Sequence, residues 1–329
     1  AIYKKGWCYY NMGLHEQAMN QFLKVIDYAR AEEARKIGYG NQLLREAQRD
    51  LVMVYSQVGS PESAIKVFKA ISPTGYMDLA IKLAEGYSSQ GEYKKSSILF
   101  KKIIAEIKDA EDSYRMIEFQ RWILNNAYRV GVKEPVVEET RRLIGLLDLF
   151  RGKAPADYYQ PELAKAEELV RVIVTTYHKE VRVTKETATM EFTHNLYNEY
   201  LRLFPDAKEF AAMTLNYAIL LEQLAVLMDE TKGSKSYDQQ AQMEKYADAA
   251  ERYTVVADLN PDKDVALQAA HGAVRCYYQM LDVKSHRAKS EDTLDTEPKP
   301  LPEFEQKLVA ASERYLRMAP PDAPDIVQA

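Results

Sequence analysis

Cysteine is nearly absent from this chain of 329 residues: Cys8 and Cys276 are the whole supply. Two thiols so far apart exclude a disulfide framework or a cysteine-built zinc site, and both read as small buried apolar residues on helices. Glycine and proline are scarce too, at 13 each, fewer than a β-rich protein of this length needs for its turns. No uninterrupted apolar run approaches the roughly 18–20 residues that cross a bilayer, so no direct membrane span is expected. Lys and Arg nowhere cluster densely and the net charge is −5, which argues against nucleic acid and against an anionic lipid surface as partners.

Catalytic patterns are missing as well. The five histidines, His15, His178, His194, His271 and His286, form no H-E-x-x-H pair and stand beside no cysteine at ligand spacing. There is no glycine-rich phosphate loop and no G-x-S-x-G elbow, so no catalytic residue, metal or cofactor is expected. His178-Lys179-Glu180, with His194 further on, comes nearest to a site, but helix surface is the better reading. The pairs Glu32-Glu33, Glu138-Glu139 and Glu167-Glu168 sit among Lys and Arg, as on a solvated helical face.

What the chain does have is apolar residues (47%), charge (28%) and 23 tyrosines, a globular and helical composition. One compact core rarely grows to this size, so two domains or an extended solenoid is expected. Self-similarity then stands out. Gly6-x2-Tyr9-x3-Gly13-x4-Ala18-x3-Phe22, Leu51-x3-Tyr55-x3-Gly59-x4-Ala64-x3-Phe68 and Leu83-Ala84-x2-Tyr87-x3-Gly91-x4-Ser96-x3-Phe100 align on one glycine. Each predicts two short amphipathic helices: glycine ends the first with positive φ, a small residue marks their closest crossing, and an aromatic one turn later packs onward. A fourth unit turns at Gly131, with Val136 and Thr140 where Ala and Phe are expected. Between the first two copies, residues 29–44 read as helix extension plus a Gly38/Gly40 loop.

This pattern resembles the tetratricopeptide repeat (TPR), a helix-turn-helix unit of about 34 residues. The resemblance implies an all-α fold of tandem pairs stacked into a right-handed TPR superhelix, a solenoid. Residues 1–150 make an N-terminal array of about four repeats, and 151–159 a hinge loop. Residues 160–329 form a TPR-like array of about three repeats, with polar insertions near 229–243 and 282–302. Its markers are helix ends stopped by proline, 56 and 59 positions apart and so of longer period than the family unit: Tyr197 to Ala207 around Pro205, Ala249 to Lys263 around Pro261, and Tyr315 to Ala323 around Pro320. Whether the halves form one continuous superhelix or two domains is open from the residues. The chain opens at Ala1 already in a helical pattern and is expected to be a piece of a longer protein.

The resemblance also implies a groove lined by the first helix of each pair. Its inward positions are Tyr3, Trp7, Tyr10 and Asn11, then Arg49, Met53 and Gln57, then Lys82 and Glu85, then Arg121, Trp122, Asn125 and Arg129. Trp7 and Trp122 are equally well read as packing between helices. Aromatics, Met, Arg and amides are a composition favoured at protein interfaces, so the expected partners are proteins or peptides. Co-chaperone TPR domains grip a C-terminal carboxylate with Lys and Asn at positions that here hold Tyr3, Trp7, Asp50, Asp78 and Lys82. Asp50 and Asp78 would repel that carboxylate, which removes this version. The proline-stopped helix ends resemble those of bacterial envelope TPR scaffolds of the outer-membrane assembly, gliding-motility and TonB-linked kinds, implying a periplasmic or outer-membrane-associated place. A cytoplasmic peptide-binding adaptor, or the TPR arm of an enzyme catalysing elsewhere, are the other readings.

Overall fold

A computed structural model describes residues 1–34, 40–108, 112–229, 237–259, 262–285, 301 and 303–320. Among these residues there are fourteen α-helices, one 3-10 turn at Ser113–Arg115, and no strand. Contacts divide the chain into two compact units, Ala1–Ala166 and Glu167–Ala329. The first holds α1 (Ile2–Asn11), α2 (His15–Ala34), α3 (Gly40–Val58), α4 (Ala64–Ile71), α5 (Tyr76–Ser89), α6 (Tyr93–Glu106), α7 (Met116–Val130) and α8 (Lys133–Phe150). The division falls inside α9 (Ala156–Thr184), and the second unit continues with α10 (Thr187–Leu203), α11 (Phe210–Asp229), α12 (Gln239–Leu259), α13 (Lys263–Ser285) and α14 (Glu303–Met318). In the first unit packing runs from α1 through α2 and α3 to α5, and from α4 through to α8; in the second it runs from α10 to α14 in order. The fold is an all-α tandem repeat, a solenoid of helix pairs.

The repeat residues act as their chemistry requires. Ala18, Ala64 and Ser96 are fully buried at the start of each second helix, and so are Phe22, Phe68 and Phe100 one turn later. Small side chains let two helices approach closely, and the ring then fills the space beyond the crossing. Gly13 and Gly91 turn with φ of 74° and 80°, a region that L side chains rarely occupy, and Gly131 at 83° ends α7 in the same way. Gly59 differs from the expectation, because its φ is not positive. There the Tyr55 ring lies over the backbone, and a Cβ on Gly59 would come within 2.2 Å of it. The Tyr55 hydroxyl reaches on to the Ser60 carbonyl at 2.9 Å, so glycine serves close approach here and not handedness. Val136 and Thr140 of the fourth unit are both fully buried, and Thr140 donates to the Val136 carbonyl at 2.7 Å.

Residues 29–34 and 40–44 extend α2 and α3, while Gly38 lies outside the described residues. That extension has a use. Arg30 of α2 donates to the carbonyls of Ala70 (3.0 Å) and Ile71, and Gln48 of α3 to Ile71 at 3.2 Å. The eight-residue α4 thereby has its terminal acceptors satisfied by side chains of two other helices.

Polar ties join each repeat to the next. Lys69–Glu106 (2.6 Å), Ser88–Asn126 (2.7 Å), Lys101–Glu139 (2.8 Å) and Arg121–Glu162 (2.8 Å) span 37, 38, 38 and 41 positions, about one repeat each. In the second unit Lys307–Glu251 (3.0 Å) and Arg314–Asp258 (2.9 Å) both span 56 positions, the longer period read from the proline-stopped ends. Three sequence expectations are corrected here. Cys8 is exposed, so of the two cysteines Cys276 alone is buried. Glu139 is buried, not solvated, held by Lys101, by the Gln120 amide (2.7 Å) and by Arg142 (3.1 Å), and these partners hold its carboxyl below the usual range against the opposing effect of burial. Glu167 likewise accepts from the Tyr200 hydroxyl at 2.5 Å and from Arg171 at 3.0 Å.

Of the segment 151–159, residues 151–155 connect α8 to α9, and 156–159 are already helix, where the Tyr159 hydroxyl returns to the Leu147 carbonyl at 2.9 Å. Of 229–243, residues 239–243 open α12, with Gln242 fully buried and donating to the Ala225 carbonyl at 2.9 Å; residues 230–236 lie outside the described residues. Residues 282–285 close α13, and 286–300 lie outside. Asp238 and Asp262 cap α12 and α13 through backbone N–H groups at 3.0 and 2.9 Å. Pro205 and Pro320 each stand two residues past a helix end; Pro261 is outside the described residues. α11 is long and apolar enough to cross a membrane by length and composition, which reading for uninterrupted runs passed over. Here it is packed between α10 and α12, burying Met213, Tyr217, Leu220, Leu221 and Ala225.

Replacing Ala64 by Leu adds bulk at a crossing with no free surface, and is expected to cost about 1–3 kcal/mol. Urea unfolding monitored by circular dichroism measures it, and an unchanged midpoint would mean that the crossing lies elsewhere.

Candidate functional site

The thirteen inward positions fall into two sets. Asn11, Arg49, Gln57, Lys82 and Arg129 are exposed, whereas Tyr10, Met53, Glu85 and Asn125 are half-buried. The Tyr3 hydroxyl donates to Asp50 of α3, and its ring meets Phe22 edge-on at 5.7 Å. Trp7 also stands edge-on to Phe22, at 5.8 Å, and to Tyr10 at 5.6 Å. Trp122 lies nearly parallel to Phe100 at 5.9 Å. Both tryptophans are therefore half-buried plates on the repeat phenylalanines, with one side given to the core. Arg121 is only 16% exposed and bound to Glu162, which Lys165 also holds at 2.7 Å. Burial and the like charge of Glu118 push the Glu85 carboxyl up, with Lys82 opposing. Asn126, next to the expected Asn125, is the fully buried one: it accepts from Ser88 and donates to Ser96 at 2.9 Å.

In the second unit the structure gathers residues that sequence reading left apart. His178 of α9 is buried, not on a helix surface, and its Nδ1 pairs with the Tyr197 hydroxyl of α10 at 2.6 Å. Tyr197 stacks on Tyr217 of α11 at 5.2 Å. The Tyr217 hydroxyl contacts Asn198 Oδ1 at 2.8 Å and His194 Nδ1 at 2.9 Å. A carbonyl oxygen can only accept, so Tyr217 gives its proton to Asn198 and accepts from His194 Nδ1–H. His194 Nε2 is then the bare nitrogen that faces the Lys245 ammonium at 3.4 Å. Both imidazoles are kept neutral. Burial first, then Arg182, lowers the pKa of His178 to about 4; burial, then Lys245, does the same for His194.

Beside this cluster runs a cleft between α9 and α11. Thr175, His178, Lys179 and Arg182 recur at helical spacing on α9 and share one face, as do Asn216, Ile219 and Gln223 on α11. They enclose a cavity of about 280 Å³. Arg182 and Gln223 also line an adjoining cavity of about 400 Å³, whose walls include Val181, Met190, Val226 and Leu227. Lys185, which closes α9 with a φ of 53°, stands at its edge. Glu222, also on that wall, is committed to a bidentate pair with Arg275 at 2.6 and 2.7 Å and to the Tyr253 hydroxyl. No cluster of three or more His, Cys, Asp or Glu able to hold a metal occurs among the described residues.

The comparisons fit this picture at the first helix pair. The family model described as tetratricopeptide repeat matches residues 1–32, which is α1 and most of α2. No curated protein matches the chain. A solved circular tandem repeat protein with novel repeat topology and enhanced subunit contact surfaces is similar at 14% identity over 99% of this chain and 76% of its own. Its TM-score is 0.27.

The two buried imidazoles make stability depend on pH. Their folded pKa lies below the unfolded value of about 6.5, so between pH 6.5 and 4 the unfolded chain binds protons that the folded chain refuses. Stability is full above that window and falls as the pH drops through it. From pH 7 to 5 the loss is about 2 kcal/mol for His178 and less for the more exposed His194. Glu85 and Asp248, whose carboxyls are pushed up, act in the opposite direction. Melting curves at pH 7 and 5 should therefore converge more closely for His178→Gln than for the wild type; equal losses in both would refute the assignment.

Proposed function

We propose that this chain is a non-catalytic scaffold that holds partner proteins or peptides on the faces presented by the first helices of its repeats. The observation that carries the reading is that each of these helices carries a half-buried aromatic or Met side chain together with exposed polar groups: Trp7 and Tyr10 with Asn11 on α1, Met53 with Arg49 and Gln57 on α3, Trp122 with Arg129 on α7. Rigid apolar area beside accessible donors is what protein interfaces select. The tetratricopeptide match over residues 1–32 supports the same reading, since such pairs occur in arrays that expose long binding faces. A place in a bacterial cell envelope, periplasmic or outer-membrane-associated, belongs to this proposal and rests on the near-duplicate ends Tyr200 to Ala207 and Tyr315 to Ala323.

Selection of a random peptide library on the purified chain should yield binders. Arg49→Ala and Arg129→Ala, both on exposed side chains, should weaken them by up to about thirtyfold, or about 2 kcal/mol, at a true hot spot. Trp122→Ala should instead lower the melting temperature, because Phe100 loses one of its two stacking partners. Recovery of no binder at all would end the scaffold reading. Binders indifferent to both arginines would move the binding face away from the first unit.

A further inference from the structure

The cleft between α9 and α11 has a chemistry of its own. His178 is 6% exposed, lines the smaller cavity, and has one ring nitrogen committed to Tyr197; the other, Nε2, has no partner. A buried imidazole nitrogen left without a partner is expensive, and a native structure keeps one where something else is to supply the bond. Around it stand Lys179 and Arg182, with Lys185 at the rim of the adjoining cavity, and none of the three forms an ion pair with a described residue. Lys179, Arg182 and Lys185 are exposed, and they differ in this from Arg121, which is held by Glu162, while Arg275 is held by Glu222. Among the described residues the lining of the smaller cavity contains no carboxylate, and the amides of Asn216 and Gln223, on the α11 side, hydrogen-bond to no described residue. The one acid of the larger cavity, Glu222, is already neutralised by Arg275.

We infer that this cleft recognises an internal acidic side chain, Asp or Glu, of a bound peptide, with an adjacent apolar residue entering the cavity walled by Val181, Met190, Val226 and Leu227. The carboxylate accepts from Arg182 and Lys179, and His178 in its Nε2–H tautomer supplies a further donor, with Tyr197 giving its proton to Nδ1. Asn216 and Gln223 satisfy the peptide backbone. Apolar wall next to unpaired cations selects the acidic residue together with its apolar neighbour, which neither cavity alone would do. This rests on the reading of the chain as a peptide-binding scaffold and names the partner chemistry for its second unit.

Two pools of terminally blocked octapeptides test it, random except for a fixed central Asp in one and Asn in the other. The wild-type chain should retain the Asp pool at least tenfold better and enrich apolar residues beside the fixed position. Arg182→Glu, a surface change that leaves the melting temperature unaltered, should abolish the preference; His178→Phe should reduce it; Arg49→Ala, in the first unit, should leave it intact. Equal retention of the pools, or a preference that survives Arg182→Glu, overturns the inference. Complete displacement by inorganic phosphate overturns it in favour of a small oxyanion site, and a gain only when the C-termini are left free overturns it in favour of terminal-carboxylate recognition. If neither pool is retained while library-selected peptides still bind through Arg49 or Arg129, this inference fails and the scaffold stands; if those fail too, both fall.

Discussion

The fold depends on one contact, the close crossing of two helices at a residue too small to hold them apart. At Ala18, Ala64 and Ser96 that residue is fully buried, and a phenylalanine one turn later occupies the space the crossing opens. A pair of short helices cannot bury its apolar faces alone: Phe22 and Phe68 meet rings of their own pair, Tyr3, Trp7 and Tyr55, and further contacts must come from the next pair. Phe100 shows the consequence: Phe119 and Trp122 of the following pair both stack on it, at 5.9 Å. Stability is therefore passed from neighbour to neighbour and does not collect in one centre.

Because successive repeats meet at a regular spacing, polar groups can be shared between them at that spacing. Ser96 illustrates how tightly this is drawn: its hydroxyl donates to the Ala84 carbonyl at 2.7 Å and accepts from Asn126, which in turn accepts from Ser88. The small residue of the crossing is also a junction between two repeats. Glu139, Glu162 and Glu222 play the same part with cations. Each is bound by at least two donors, the condition under which a buried carboxylate is tolerated. Such ties fix the register of one repeat on the next, which apolar packing alone leaves loosely specified.

Against this rule of paired charges the exceptions gain meaning. Exposed cations in the first unit stand beside aromatic plates whose other side is core. In the second unit, cations line a cleft that holds no free acid, next to a buried imidazole with a spare nitrogen. The tyrosine stack of Tyr197 and Tyr217 sets the depth of that imidazole, since His178 is placed by the hydroxyl of one ring and Asn198 and His194 by that of the other.

The sequence by itself determined the helix pairs, their glycine turns, the buried small residue and aromatic of each, and the longer period of the second half. All of these are local or periodic, and a 3.6-residue repeat of apolar positions encodes them directly. Only the tertiary structure decided which charged and polar residues lie inside. Glu139 sits beside the exposed Glu138 and Asn126 beside the half-buried Asn125, and a rotation of about 100° along the helix makes the difference. Whether a buried acid is tolerable depends on Lys101 and Gln120, distant in the chain and adjacent only after the repeats have stacked. The same holds for the cleft. His178, Tyr197 and Asn216 come from three helices, and nothing in their local sequence distinguishes them from surface residues until packing removes the water around them.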